Sequence, residues 1–402
     1  MTSEVIVMNG QGIAMAADTL GTVWEHAGKS HVRHSCQKLF QLGNNSTAGI
    51  MVNQRMTINS LPWQVMIQSY NTASGSKNLS HIEDCATDFI NYTVKHVERY
   101  DTSIDNLVWH SDVLRAIEHL SKRITKQLKA RIFENPETAL KAAIKRLEVA
   151  EIADGGDDPT LIQHIEGAIE TIPSEALQNA WHASWMSKAI ERGLRRWIKL
   201  ITVTDNNWLE RSELVLGGCG HKDYFPSAIK LHITGYYLGW LKHSIGQAHS
   251  ISQTNQAHIL PYANRRSIHS FLRGIHPDIE HHGVNCLAEA LGAIFDDHIK
   301  GYDRDTFIEH YLENYRTDML GFIKGHRLEP LVDYIRHVST PELARIATSL
   351  VDMTIINAEM RPERLGVGGY CTAAIISKGD GFKWVAPYIE QKVQQSSATQ
   401  KY

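Results

Sequence analysis

The 402-residue sequence predicts an α+β protein in which antiparallel sheets carry helices on their outer faces. Three observations predict it. Short apolar runs separated by glycine turns open the chain, and helical periodicity fills the middle. Strands return near residue 213 and again at the carboxyl end. Segregation of strands from helices in this way differs from the regular alternation of a parallel α/β sheet.

Residues 4–8 and 12–17 are apolar runs joined through Asn9-Gly10, a strong hairpin signal. A polar stretch, 19–30, precedes a third run at 38–42. After Gly43-Asn44-Asn45 comes a fourth at 46–52. Ile58, Leu61, Val65 and Tyr70 then fit one face of a helix over about 57–71, with Pro62 in its first turn. Ser80 is placed to cap a helix over 81–99. Residues 100–205 read as long helices. Leu114, Ile117, Ile124, Leu128 and Ile132 make one stripe; Trp181, Trp185, Ile190, Leu194 and Ile198 make another. The break at 154–159, Asp-Gly-Gly-Asp-Asp-Pro, lacks EF-hand spacing and reads as a solvated turn. Strands are expected at 213–217, 230–242 and 257–260, and helices at 266–274, 278–300, 304–323 and 341–359. A hairpin, 372–376 and 382–385, turns at Lys378-Gly379-Asp380-Gly381 and closes the fold.

Apolar content of 43% and charged content of 21% describe a globular chain, and a net charge of −3 gives no basic field for nucleic acid. Five scattered cysteines, with no CxxC pair, argue against a disulfide framework or a structural zinc site and for a reduced cytoplasmic setting. No apolar run is long enough to span a membrane, and no secretory signal is present, so loss of Met1 alone would expose Thr2. The histidines of 26–34 and 276–282 lack zincin or zinc-finger spacing. Cys219 in Gly217-Gly218-Cys219-Gly220 could be a nucleophile, but a strand end needing unusual backbone angles explains the glycines more simply. Gly366-Val367-Gly368-Gly369 lacks the Lys-Ser/Thr of a P-loop.

Thr2-Ser3-Glu4-Val5-Ile6-Val7, then Gly12 through Asp18, resembles the start of a proteasome β-subunit. Gln37 through Leu42 and Ala48-Gly49-Ile50 look like that family's next two strands. Val367-Gly368-Gly369-Tyr370 and the segment Ile375 through Trp384 are similar to its final hairpin. Gly49-Ile50-Met51 and Leu61-Pro62-Trp63 also resemble a divergent bacterial group of proteasome-like proteins. The resemblance covers roughly the first 70 and last 40 residues. It implies the four-layer αββα sandwich of N-terminal-nucleophile (Ntn) hydrolases, with residues 2–99 and 209–402 as the core and 100–208 as a helical insertion subdomain. That insertion carries five of the nine tryptophans, as expected for a packed unit. The resemblance further implies Thr2 as nucleophile, Asp18 and Lys38 as its tuning pair, and Gly49 as the oxyanion N–H donor. The family's Asp-x-x-Ser-Gly is replaced here by residues 361–369. Glu363 could stand for its aspartate, and no serine occupies the serine position. No cofactor is implied.

The chemistry is coherent. A threonine hydroxyl needs a base, and a free α-amine with a pKa near ~8 can serve. An ammonium at Lys38 favours the alkoxide and lowers the amine pKa, and Asp18 supplies the counter-charge that makes its burial tolerable. An oxyanion donor contributes roughly 2.7–4 kcal/mol where it has been measured. The expected activity is threonine-dependent amide hydrolysis of a peptide or protein substrate, by a chain able to form a homo-oligomeric ring or dimer. An inactive scaffold and a non-peptide amidase remain the alternatives.

Overall fold

A computed structural model describes residues 2–24, 30–33, 36–43, 47–74, 77, 79–100, 102–298, 303–360 and 366–385. The first strands are β1 (Ser3–Asn9) and β2 (Gly12–Asp18), each buried along its whole length. Asn9 fixes their turn: its Oδ1 accepts from Gln11 N, and its Nδ2 donates to the carbonyls of Ile335 and Val338, all at 2.8 Å. The stretch expected as polar loop contains a hairpin, β3 (Gly21–Trp24) with β4 (Ser30–Arg33). Next are β5 (Leu39–Gln41) and β6 (Ala48–Gln54).

The helix expected at 57–71 is shorter. Asn59 and Ser60 take positive φ (43° and 69°), making a small hairpin of β7 (Thr57–Ile58) and β8 (Leu61–Pro62) before α1 (Trp63–Ser74) begins. Tertiary bonds hold that turn, since Asn59 exchanges hydrogen bonds of 2.7 and 2.9 Å with the backbone of Tyr236. Helix α2 (Ile82–Tyr100) follows as expected. Five helices then succeed one another: α3 (Thr102–Lys129), α4 (Pro136–Glu148), α5 (Pro159–Glu170), α6 (Ser174–Ala180) and α7 (Lys188–Val203). Asp158 caps α5 through the N–H groups of Thr160 and Leu161, so the Gly-Asp break is a helix start. Ile132 falls beyond α3 and is 62% exposed, so it leaves the expected stripe.

Strands β9 (Ser212–Gly218), β10 (Ser227–Tyr237), β11 (Trp240–Ile245), β12 (His249–Ser250) and β13 (Ala257–Ala263) come next. The single strand expected at 230–242 is thus a hairpin. Leu238 and Gly239 both take positive φ (54° and 85°), as a tight two-residue turn requires. The chain ends through α8 (Arg266–Arg273), α9 (Pro277–His298), α10 (Arg304–Ile323), α11 (Glu329–His337), α12 (Thr340–Glu359), β14 (Cys371–Ser377) and β15 (Gly381–Trp384). Of these, α11 had no expectation.

Two antiparallel sheets result, ordered β13-β1-β2-β14-β15 and β11-β10-β9-β6-β5. Strand alternation sorts their side chains. Ile6, Met8, Ile13 and Met15 meet Leu39, Met51 and Val215 in one apolar cluster joining the sheets. Val5, Val7, Ala14 and Ala16 pack on α12 through Leu343, Ala347 and Val351. Ile50, Val52, Leu214 and Leu216 pack on α1 and α2 through Trp63, Ile67 and Phe89. Helices α3–α7 enclose a separate core around Trp109, Ile117, Leu140, Ile165, Leu194 and Trp197, which also takes in Tyr237. Among the described residues no helix is long and apolar enough to cross a membrane.

Candidate active site

Thr2 lies at the edge of β1 and is 7% exposed. Its carbonyl accepts from Asn264 N at 2.8 Å, extending the β1–β13 pairing by one residue. The next peptide is held from the other side, where Ser3 N donates to Asp18 Oδ1 at 2.9 Å. Asp18 ends β2 and receives three further donors: Lys38 Nζ on Oδ1 at 2.8 Å, and Leu20 N and Gly368 N on Oδ2 at 3.3 and 3.2 Å. Both partners of this ion pair are buried, at 0% and 1% exposure for Asp18 and Lys38. Four donors on one carboxylate offset the desolvation that would make an isolated buried charge costly. The structure therefore brings Thr2, Asp18 and Lys38 together, with Gly368 of the loop before β14 closing the group.

Gly49 is not part of it. Lys38 O accepts from Val52 N at 2.9 Å, so the stretch of β6 beside Lys38 is its far end, three residues past Gly49. Along a strand that is about 10 Å. Gly49 sits inside the sheet, opposite Gln41 on one side and Gly217 on the other. Leu42 N donates to Ala48 O and Val52 N to Lys38 O, so even-numbered residues of β6 face β5. Antiparallel alternation turns the Gly49 N–H toward β9, where the ladder takes it. Its lack of a side chain serves packing. A Cβ there would stand 3.0 Å from Ile376 Cδ1 and Met15 Sδ, and one at Gly217 would stand 2.7 Å from Ile13 Cδ1. Glu363 lies outside the described residues.

Sequence reading missed a buried polar chain that starts two residues from Thr2. Glu4 has no exposure, and Asn53 Nδ2 donates to its Oε2 at 2.8 Å from the opposite sheet. The same nitrogen reaches Glu213 Oε1 on β9 at 3.3 Å. Glu213 Oε2 meets His232 Nε2 at 3.3 Å and Lys230 Nζ at 3.7 Å. Beyond His232, Asp205 accepts from Ser244 Oγ at 2.8 Å and Arg211 Nη1 at 2.7 Å. Burial pushes the Glu4 carboxyl up to about 8, although the Asn53 hydrogen bond and the Lys38 charge pull it down. Burial also pushes Glu213 up, but the His232 hydrogen bond, Lys230 and Asn53 outweigh it and hold that carboxyl down at about 2. The only sequence signal was a glutamate inside an otherwise apolar run.

Cys219 is buried at the other end of β9, and burial pushes its thiol up to about 11, away from a reactive thiolate. Gly218 beside it has φ 154°, and a Cβ there would stand 2.0 Å from Thr47 O, which accounts for the glycines. Among the described residues no three His, Cys, Asp or Glu side chains converge as metal ligands would.

No protein-family model matches the chain, and no curated protein does. Among solved structures, an Anbu mutant from Hyphomicrobium sp. strain MC1 is similar at 10% identity, with 99% of this chain and 93% of that one covered and a TM-score of 0.30. A likeness of that size leaves the reading to the residues themselves.

Proposed function

We propose that the chain is a threonine-dependent amidohydrolase of the N-terminal-nucleophile kind, acting on peptides once Met1 is removed. One observation carries the reading. The buried Lys38–Asp18 pair is hydrogen-bonded to the first peptide of β1, directly behind Thr2. Burying a lysine is costly even when it is paired, so one held with its carboxylate beside a candidate nucleophile supports a functional reading. The helix–sheet–sheet–helix succession of apolar clusters supports the αββα arrangement that such enzymes share. The separate core of α3–α7 supports treating residues 100–208 as an inserted subdomain.

In this reading the α-amine of Thr2 takes the proton of its own hydroxyl as Oγ attacks the amide carbonyl. The amine then passes that proton to the leaving nitrogen, and water hydrolyses the ester left on Thr2. Lys38 lowers the amine pKa and favours the alkoxide, and Asp18 orients Lys38. The oxyanion donor moves from Gly49 to the far end of β6. There Gln54, two residues past Val52 and so facing the same side, leaves the strand with φ 65°.

Intact mass is expected to show loss of Met1, and a β-lactone or peptide boronate to occupy Thr2. Retained Met1, or hydrolysis undiminished in Thr2→Ala, would remove the proposal. A second reading, a fold kept without catalysis, draws on the near-complete burial of Thr2 and the absence of the family's supporting serine. It predicts no labelling even after Met1 is cleaved.

A further inference from the structure

Two carboxylates, Glu4 and Glu213, share the single amide nitrogen of Asn53 in the space between the sheets. Like charges so close cannot both be ionised cheaply, so their other partners decide which holds the proton. Glu213 has the cations, His232 at 3.3 Å and Lys230 at 3.7 Å. Glu4 has none in contact among the described residues. Among the described residues its fully buried Oε1 has no hydrogen-bond partner, and neither has Asn53 Oδ1. Both orphans are acceptors, and a proton on Glu4 supplies the donor that this pocket lacks.

We propose that Glu4 is carried as a neutral carboxylic acid beside Thr2, a positioning residue that leaves Asp18 the sole counter-charge of Lys38. This rests on the hydrolase reading for its purpose but not for its chemistry. Glu4 is two residues along the strand from Thr2, hence on the same face. The charged and titratable groups acting on it are Lys38 beside β5, Asp18 on β2 and Glu213 on β9, with Tyr262 opposite it on β13. An ionised Glu4 would compete with Asp18 for Lys38 and draw away the cation that favours the Thr2 alkoxide. Activity should therefore fall as Glu4 ionises, above about pH 8.

The test is infrared pH-difference spectroscopy on the full chain, together with the pH profile of peptide hydrolysis. The wild type is expected to show a protonated-carboxyl band at pH 7 that is lost on raising the pH and is missing in Glu4→Gln. Glu213→Gln removes the neighbouring negative charge, so the band should titrate at lower pH; this variant keeps the test alive if Glu4→Gln does not fold. In activity, Glu4→Gln should flatten the alkaline fall seen in the wild type. No protonated band at pH 7, or a band that survives in folded Glu4→Gln, overturns the proposal. A band behaving as expected in a chain whose exposed Thr2 hydrolyses nothing upholds the neutral acid and sinks the hydrolase instead. Hydrolysis without the band does the reverse.

Discussion

Asp18 and Lys38 are each buried, but their removal should not be symmetrical. Lys38→Met strands a carboxylate that still has three N–H donors, from Ser3, Leu20 and Gly368. Asp18→Asn strands an ammonium with no other acid in contact among the described residues, so it should cost more. Breaking a buried pair costs about 3–5 kcal/mol, and Asp18→Asn is expected toward the upper end, read as a lowered midpoint in urea. Lys242 behaves differently. It is 2% exposed, donates to the Ile201 carbonyl, and burial holds its ammonium down at about 7. A depressed lysine is favoured neutral in the folded state. Its stability is fully present above the unfolded value of 10.5 and is lost as pH falls toward 7. Lys242→Met should therefore raise stability by about 1–2 kcal/mol at pH 7, with the gain shrinking toward pH 10. A loss at pH 7 in thermal melts would show that the Ile201 hydrogen bond outweighs the burial.

At the scale of elements, the glycines of β6 and β9 set how closely the two sheets approach. Gly49→Ala should cost about 1–2 kcal/mol by pushing Ile376, Met15 and Phe382 off their rotamers, and Gly217→Ala more, because Ile13 Cδ1 is nearer. Denaturant midpoints check the order. The sequence showed these residues clearly and their reason poorly. Asn9-Gly10 announced the first hairpin because turn chemistry is local. Leu238-Gly239 did not announce β10–β11, since a leucine at positive φ is held there by tertiary packing. Asp18 and Lys38 were legible as candidates through their order behind Thr2, and the structure pairs them. The residue of β6 that stands beside Lys38 was not legible, because strand register decides it, and register is a long-range outcome. Glu4 was invisible for the same reason: only the facing strands reveal that Asn53 and Glu213 converge on it.

Across the whole molecule, the helices of residues 102–203 are bound to the second sheet through polar contacts, one of them buried, and not through apolar packing alone. Tyr237 Oη on β10 donates to Asp112 Oδ2 of α3 at 2.7 Å, and Arg55, just past β6, reaches the same oxygen at 3.0 Å. Trp240 Nε1 bonds the Asp154 carbonyl at 3.1 Å, and Tyr237 itself belongs to the helical core. The same hairpin carries His232 and Ser244, which end the polar chain leading back to Glu4. The helices of residues 102–203 and the candidate site thus share β10–β11 as a common support. Asp112→Ala leaves Arg55 unpaired in a mostly buried position and should cost about 3 kcal/mol. Because the anchor is shared, hydrogen exchange should quicken together in α3 and β10–β11 while β1 and β2 keep their protection. Loosening of the helices alone, with β10 still protected, would mean that these helices are coupled to the sheet by nothing stronger than surface contact, and would separate them from the site.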